Sequence, residues 1–279
     1  MRKLLIFGLL LLTACQESLQ NGEVSPLLDD AIVGGREVDN ADPVTRQALN
    51  FRVFHSPVTK EDAESITTYY KVSQCTGSAI STRLILTAAH CIIQREDASH
   101  RVDIKNGEGQ SITYKAAKVA VHPKYLEGDK NYDVALAYLE ADLPADVEIL
   151  HLPQKEALMG LTSVVAAGFG RTDGRPSQPG NSGILRTVEL RVSKYAPTLP
   201  YFMVNQSEGK GFCQGDSGGP AMAMINGVNT VVGVASKTTH KMELAPGEEK
   251  NLCILEGQYM NVQFHLDWIL TESARFIMQ

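Results

Sequence analysis

From Ile32 onward, the chain alternates short apolar runs with turn residues, and this pattern predicts β-strands. The clearest runs are residues 79–86, 116–121, 134–139, 163–167, 187–192 and 230–235. Many short strands at regular spacing favour an all-β barrel or sandwich. Residues 263–278 differ, because their apolar side chains recur at helical spacing. We therefore expect an all-β fold closed by one amphipathic helix.

Two polar stretches interrupt the pattern of strands. Residues 56–67 are polar and acidic, and residues 237–252 combine several charges with Pro246-Gly247. Charged side chains around a Pro-Gly pair are typical of surface turns. We expect both stretches to be loops.

The N-terminus has the pattern of a targeting signal. The pair Arg2-Lys3 precedes an apolar run at residues 4–12, which is too short for a membrane-spanning helix but suits a signal peptide. The run ends in Leu12-Thr13-Ala14-Cys15, which resembles a bacterial lipobox with Cys15 as the lipidated residue. An ordinary signal peptide with an incidental cysteine is the alternative. We expect residues 1–14 to be removed and the protein to be anchored in the bacterial cell envelope.

Residues 15–31 are mostly polar and predict a lipid-anchored linker or pro-segment. The remaining 248 of the 279 residues, 32–279, suffice for one large or two small domains. The net charge is −6 and the sequence has no dense basic run, which argues against nucleic-acid binding. An envelope location is oxidising, so the cysteines after Cys15 can form disulfides.

The strongest chemical motif is Cys213-Gln214-Gly215-Asp216-Ser217-Gly218-Gly219-Pro220. A nucleophilic serine needs an exposed hydroxyl, and glycines let the backbone turn tightly around it. The backbone N–H groups of Gly215 and Ser217 would then form an oxyanion hole. A glycine-rich turn that merely contains a serine is the alternative.

Two further motifs supply partners for Ser217. His90 follows a strand-like run in Leu86-Thr87-Ala88-Ala89-His90, and Asp133 precedes the apolar run 134–139. Alone, His90 could be structural or a metal ligand, and Asp133 could be a turn residue. The order His, Asp, Ser along the chain favours a catalytic triad, in which Asp133 orients His90 and His90 takes the proton of Ser217.

With these motifs, the chain resembles the trypsin-like (chymotrypsin-fold) serine proteases. Ile32-Val33-Gly34-Gly35, His122-Pro123-Lys124-Tyr125, residues 168–172 and Trp268-Ile269 match family landmarks in order. The resemblance implies two antiparallel Greek-key β-barrels and a C-terminal α-helix. Residues 32–150 would form the half that carries His90 and Asp133, and residues 151–279 the half that carries Ser217.

The resemblance also implies disulfides and an activation step. Cys75 would pair with Cys91 and Cys213 with Cys253, which leaves Cys15 for the lipid. Cleavage after Ala31 would free the α-amine of Ile32, whose ammonium would pair with Asp216 and complete the site. The uncleaved chain would then be a zymogen. Because Ala31 is not basic, the activating protease would not be trypsin-like, and self-activation is possible.

In the family, the specificity pocket is formed by residues that are recognisable here. Gly211 would lie at its base, followed by Phe212. Ser236-Lys237-Thr238 would form one wall and Gly257 the opposite wall. Trypsin has an aspartate at the base, so a preference for Lys or Arg is not expected. Phe212 and Thr238 predict a shallow, uncharged pocket for small apolar side chains, although Lys237 departs from the family pattern.

These observations predict a monomeric serine endopeptidase that acts on proteins or peptides through an acyl-enzyme intermediate. No cofactor and no metal is expected, since the seven histidines lack a metal-ligand spacing such as His-Glu-x-x-His. Calcium binding is left open. The alternative function is a catalytically silent protease-fold lipoprotein that acts as a binding module at the cell surface.

Overall fold

The computed structural model describes residues 32–39, 42–61, 66–92, 97–105, 110–154, 160–178, 180–239 and 243–278. The predicted signal peptide and pro-segment, with Cys15 and Ala31, lie outside these residues. Within the described ranges, no helix is long and apolar enough to cross a membrane.

The first barrel contains six strands that follow a short N-terminal strand, β1 (Arg36–Glu37). They are β2 (Leu49–Glu61), β3 (Ile66–Ala79), β4 (Leu84–Thr87), β5 (Ser99–Lys105), β6 (Ser111–Val121) and β7 (Ala135–Leu139). Every pairing is antiparallel, and the order β2-β3-β4-β7-β6-β5 closes on itself. Because β5 returns to pair with β2 beside the β2-β3-β4 meander, this is a Greek-key arrangement.

The second barrel repeats this arrangement with the next six strands. They are β8 (Ser163–Gly168), β9 (Arg186–Lys194), β10 (Tyr201–Asn205), β11 (Pro220–Ile225), β12 (Val228–Thr238) and β13 (Glu256–Asn261). The order β9-β10-β13-β12-β11-β8 is closed by the pairing of β8 with β9. Strand β1 adds to β9 by pairing Arg36 with Thr187, so the N-terminal segment lies on the second barrel.

Alternation of side chains along each strand fills the two barrels. In β5, Val102 and Ile104 point inward and are buried, while their neighbours are partly exposed. This two-residue period is what a strand with one buried face requires. Strand β4 is buried along its whole length and reads as the continuous run Leu-Ile-Leu-Thr. It ends directly before Ala88, where the candidate site begins.

A short helix, α1 (Pro123–Leu126), follows β6, and the longer α2 (Leu266–Met278) ends the chain. Helix α2 packs on the first barrel although it follows the second in sequence. Its Ile269 is fully buried, and the rings of Phe276 and Tyr138 stack with centroids 5.8 Å apart. The predicted fold, two antiparallel β-barrels with a C-terminal helix, is confirmed.

The predicted loop at residues 56–67 was wrong, because β2 continues to Glu61 and β3 begins at Ile66. Pro57 is accommodated by a register shift between Phe54 and Pro57. Ladder hydrogen bonds join backbone groups, so a polar sequence can extend a hairpin. The run 79–86 is likewise two strands, since Ala79 ends β3 and Leu84 begins β4. The second predicted loop, residues 237–252, was wrong at its start, because Lys237 and Thr238 belong to β12. Residues 243–252 contain no helix or strand, as expected.

Candidate active site

His90 lies in the turn that follows β4 of the first barrel. The buried strand β4 leads through Ala88 and Ala89, which are both buried, into a 3-10 turn that spans residues 89–91. Small side chains fit this turn against the core, and the imidazole of His90 reaches the surface with 34% of its side chain exposed. A disulfide between Cys91 and Cys75 ties the turn to β3.

Asp133 is brought to His90 by a 3-10 turn at residues 130–132, directly before β7. Its carboxylate is buried and accepts hydrogen bonds from two groups of His90. The ring Nδ1 lies 2.7 Å from Oδ2, and the backbone N–H donates to Oδ1 at 2.9 Å. The hydroxyl of Ser236 donates to Oδ2 at 2.6 Å. Three donors therefore hold one carboxylate.

These donors keep Asp133 ionised. Burial by itself raises the pKa of the carboxyl, but the hydrogen bonds from His90 and Ser236, together with the electrostatic attraction of His90, lower it by more than burial raises it. The net pKa lies below the ordinary value for aspartate. An ionised acceptor at Nδ1 keeps a proton on that nitrogen and directs Nε2 away from Asp133.

The loop that carries Ser217 is fastened to the first barrel through Thr76. The Thr76 N–H donates to the carbonyl oxygen of Ser217 at 2.8 Å, and the Thr76 hydroxyl donates to the carbonyl oxygen of Gly215 at 3.0 Å. Gly218 has φ +81°, and a β-carbon there would lie 2.1 Å from the hydroxyl oxygen of Thr87. Glycine is therefore needed both for the backbone conformation and for the close approach.

Ser217 and His90 line one cavity of about 320 Å³, together with Gly215, Gln214 and His55. Gly215 has φ +99°. Among the described residues, the N–H groups of Gly215 and Ser217 donate to no backbone carbonyl. The predicted nucleophile, base and oxyanion-hole amides thus belong to one region, between the two barrels.

The four predicted structural cysteines pair as the resemblance implied, Cys75 with Cys91 and Cys213 with Cys253. Cys75, His90 and Cys91 also place one nitrogen and two sulfurs within 4.8 Å of one another. Zinc is bound by thiolates, whereas these two sulfurs are bonded to each other. This group is therefore the disulfide brace of the histidine turn.

Asp216 is buried behind the serine. The N–H of Gly170 donates to its Oδ1 at 2.7 Å, and the N–H of Cys213 donates to Oδ2 at 2.8 Å. The glycine backbone is required here, because a β-carbon on Gly168 would lie 2.1 Å from Oδ1. Burial raises the pKa of Asp216 to about 7, although the two N–H groups and the charge of Arg186 each lower it.

The segment that follows the predicted cleavage point is docked into the second barrel. Ile32 is fully buried, with φ +53°. The next residue, Val33, forms an isolated bridge with Gly211, whose N–H donates to the Val33 carbonyl at 2.9 Å. The start of the predicted mature chain therefore contacts the predicted base of the specificity pocket.

The predicted pocket residues lie on two adjacent strands and the loop before the serine. Ser236, Lys237 and Thr238 end β12, and Thr238 pairs with Gly257 on β13. Phe212 is 3% exposed, and its ring meets that of Tyr259 edge to face with centroids 4.8 Å apart.

Two features of the site were missed from the sequence. One is the hydrogen bond from Ser236 to Asp133, because Ser236 was interpreted only as pocket wall. The other is Gln206, whose fully buried side chain lies against Gly211. A glutamine that directly follows an apolar strand was a weak signal, because most glutamines in such positions are exposed.

Comparison with known proteins decides the family. The trypsin family model matches residues 55–269, which is more than half of the chain. The chain belongs to the trypsin family. The match includes the turn of His90, Asp133 and the loop of Ser217. Serine-protease membership, predicted from the motifs, is confirmed at this level.

Several named proteases are similar to this trypsin-family chain. The CLIP domain-containing serine protease B4 of Anopheles gambiae is 33% identical over 231 residues, which are 70% of this chain and 61% of that protein. Chymotrypsin-like elastase family member 1 of Canis lupus familiaris is 31% identical over 58% of this chain and 69% of its own length. Brachyurin of Leptuca pugilator is 29% identical over 72% of this chain and 88% of its own length. The chain thus spans less than two thirds of the first of these relatives.

Proposed function

We propose that this protein is a serine endopeptidase with His90, Asp133 and Ser217 as its triad. The observation that carries the proposal is the hydrogen bond between His90 Nδ1 and the buried Asp133 carboxylate. His90 also lines the same cavity as Ser217. In this scheme His90 Nε2 takes the proton of the Ser217 hydroxyl as Oγ attacks the scissile carbonyl. The histidine returns that proton to the leaving amine, and water then hydrolyses the acyl-enzyme.

The amides of Gly215 and Ser217 are proposed to stabilise the oxyanion of the tetrahedral intermediate. Their N–H groups are not used by backbone acceptors within the described residues, and the serine loop is held by two hydrogen bonds from Thr76. Donors fixed before the reaction need no reorganisation as negative charge develops. Loss of one such donor in other enzymes reduces kcat by about 10²–10³-fold.

Activation is proposed to occur by cleavage between Ala31 and Ile32. The support is the burial of Ile32 together with an Asp216 carboxylate whose pKa is raised to about 7. A new α-ammonium at Ile32 would give this buried carboxylate a counter-charge, and a buried charge without a partner is costly. The uncleaved chain is the zymogen in this proposal.

The preferred substrates are proposed to be proteins or peptides with a small, uncharged residue before the scissile bond. Gly211 supplies no carboxylate for a basic side chain, and the bulky Phe212 is next to it. One similar protein is named a chymotrypsin-like elastase. Such a pocket would accept Ala31, which makes self-activation possible.

A lipid anchor on Cys15 and a location in the bacterial cell envelope are also proposed, on the residues 1–15 alone. Activation after Ala31 would then release the enzyme from the membrane, since the four other cysteines pair with one another. Active enzyme on a polypeptide that still carries the lipid would contradict this release. Fractionation of Ser217→Ala, which cannot activate itself, with and without Cys15→Ser tests the anchor, because only the uncleaved chain that retains Cys15 should carry lipid and sediment with membranes.

The proposed function is tested by intact-mass analysis after reaction with a fluorophosphonate probe. We would compare the uncleaved chain, the chain that begins at Ile32, and Ser217→Ala of the latter. A mass addition only on the Ile32 form, lost in Ser217→Ala, is expected. Labelling of the uncleaved chain would retain the protease and discard the activation scheme. A folded Ile32 form that does not react would favour the binding-only alternative.

A further inference from the structure

Gln206 occupies the space expected for the deep end of the specificity pocket. It directly follows β10, and its side chain is fully buried. A β-carbon on Gly211, the predicted pocket base, would lie 2.4 Å from Gln206 Cδ. A β-carbon on Gly257, the predicted wall, would lie 2.3 Å from Gln206 Oε1. Side chains at both positions would therefore point directly at the glutamine amide.

The amide of Gln206 is held in place by backbone groups on two sides. Its Nε2 donates to the carbonyl oxygens of Phe212 at 3.2 Å and Cys253 at 3.0 Å, and its Oε1 accepts from the Phe212 N–H at 3.3 Å. Cys253 is disulfide-bonded to Cys213, beside the serine loop. A buried amide with these bonds is a fixed part of the protein and cannot withdraw without leaving polar groups unpaired.

The ring of Phe212 lies against the same glycine, Gly257. It lies edge to face on Tyr259, and a β-carbon on Gly257 would come within 2.3 Å of its Cε1. Gly257 therefore faces the glutamine amide and the phenylalanine ring at once. Both groups are uncharged.

We propose that Gln206 is a specificity-determining residue that closes the floor of the pocket, with Phe212 filling the space above it. The pocket then admits glycine or the methyl group of alanine before the scissile bond and excludes larger or charged side chains. This inference rests on the proposed function, because it names the substrate class of the same site. It adds a residue from outside the segments that the sequence motifs assigned to the pocket.

The test uses the chain that begins at Ile32 and peptides that differ only in the residue before the scissile bond: Gly, Ala, Leu, Phe or Lys. For the unmodified protein we expect kcat/KM for Ala to exceed that for Leu, Phe or Lys by about 100-fold or more. Phe212→Ala should raise the ratio of kcat/KM for the Leu peptide to that for the Ala peptide roughly tenfold. Adding Gln206→Ala to Phe212→Ala should raise the ratio of kcat/KM for the Phe peptide to that for the Ala peptide by a further factor of about ten.

Two controls separate volume from other effects. Gln206→Met with Phe212→Ala keeps the floor filled and should add nothing to the Phe212→Ala profile. Asn205→Ala changes the neighbouring residue, whose side chain bonds only to Ser207 and Glu208 among the described residues, and should leave the profile of the parent unchanged. If Gln206→Ala does not fold, Gln206→Ser keeps a hydroxyl donor and carries the same expectation.

Fluorophosphonate labelling distinguishes the two possible failures. A parent chain that is folded but not labelled overturns the proposed function and this inference with it. A labelled parent that cleaves after Phe or Lys as fast as after Ala overturns the inference alone. So does a folded, labelled double variant whose profile equals that of Phe212→Ala.

Discussion

The hydroxyl of Ser236 donates to Asp133 Oδ2 at 2.6 Å, and the same oxygen lies 2.7 Å from His90 Nδ1. Ser236 belongs to β12 of the second barrel, whereas Asp133 lies two residues before β7 of the first. One hydrogen bond therefore links the pocket strand to the proposed catalytic carboxylate across the junction of the barrels. It makes Ser236 a positioning residue for the dyad of His90 and Asp133.

Removal of this bond should weaken catalysis without abolishing it. We expect Ser236→Ala to lower kcat roughly tenfold, equivalent to about 1.4 kcal/mol of transition-state stabilisation. The pH–rate profile should shift as well, because Asp133 loses one of its donors. Ser273→Ala is the matched control, since its hydroxyl bonds the carbonyl of Ile269 within α2. An unchanged kcat and profile in folded Ser236→Ala would contradict the positioning role.

The raised pKa of Asp216 predicts how the stability of the uncleaved chain depends on pH. The pKa of the carboxyl is about 7 in the folded chain and 3.8 in the unfolded chain, so the folded state holds the proton more tightly. Stability should therefore fall as the pH rises from about 4 to 7, by up to about 4 kcal/mol. The measurement is the free energy of unfolding by denaturant, with the disulfides intact, at each pH. The difference between the parent and Asp216→Asn gives the contribution of this carboxyl.

The chain that begins at Ile32 provides the contrast for that measurement. Its α-ammonium should pair with Asp216 and favour the ionised carboxylate, so the loss of stability between pH 4 and 7 should disappear. The same loss in both forms would show that no ion pair is made on cleavage. That result would refute the activation scheme and leave the triad proposal standing.

Acid should destabilise the protein through a different group. Burial lowers the pKa of His265 to about 4 from the ordinary histidine value of 6.5, so the folded chain keeps this ring neutral. That contribution to stability is present above pH 6.5 and is lost as the pH falls to 4, by about 3 kcal/mol. In His265→Phe the acid-induced loss should shrink by this amount, while the exposed His151→Phe should leave it unchanged.

The close approach of the serine loop to β4 predicts that two similar glycines differ in tolerance. Gly218 and Gly227 both have φ +81°, but only Gly218 has atoms within 4 Å of an added β-carbon. Gly227→Ala should cost about 1–2 kcal/mol in the free energy of unfolding, from backbone strain alone. Gly218→Ala must also displace Thr87, so it should lower the free energy of unfolding by more than about 3 kcal/mol. It should also abolish fluorophosphonate labelling. An equal loss in the free energy of unfolding for the two variants would contradict the close approach of Gly218 to Thr87.

Much of the candidate site could be proposed from the sequence because its requirements are local. A glycine-rich turn around Ser217 and small residues before His90 are needed by the backbone at those points, so they are visible in a short stretch of sequence. Alternating apolar positions likewise predict most strands, since a strand with one buried face needs that period. The disulfide partners came from the family resemblance, and the structure confirms them.

Other features depend on which distant segments pack together. The polar sequence of residues 56–67 gave no sign that backbone pairing would extend β2 and β3 through most of it. The residues joined by the Ser236–Asp133 bond are 103 positions apart. Gln206 reaches Gly257 only because β10 and β13 pair, and no local pattern encodes that contact.

The sequence by itself therefore determined the family and, through the family resemblance, the antiparallel barrel fold, and it supplied the residues proposed to carry the chemistry. The tertiary structure decided how Asp133 is held, how deeply Asp216 is buried and which side chain lies against Gly211 and Gly257. The physical reason is that hydrogen-bond donors, desolvation and free volume are properties of the packed neighbourhood. That neighbourhood is assembled from strands far apart in the chain. A short motif, in contrast, reflects only the conformation that its own backbone must adopt.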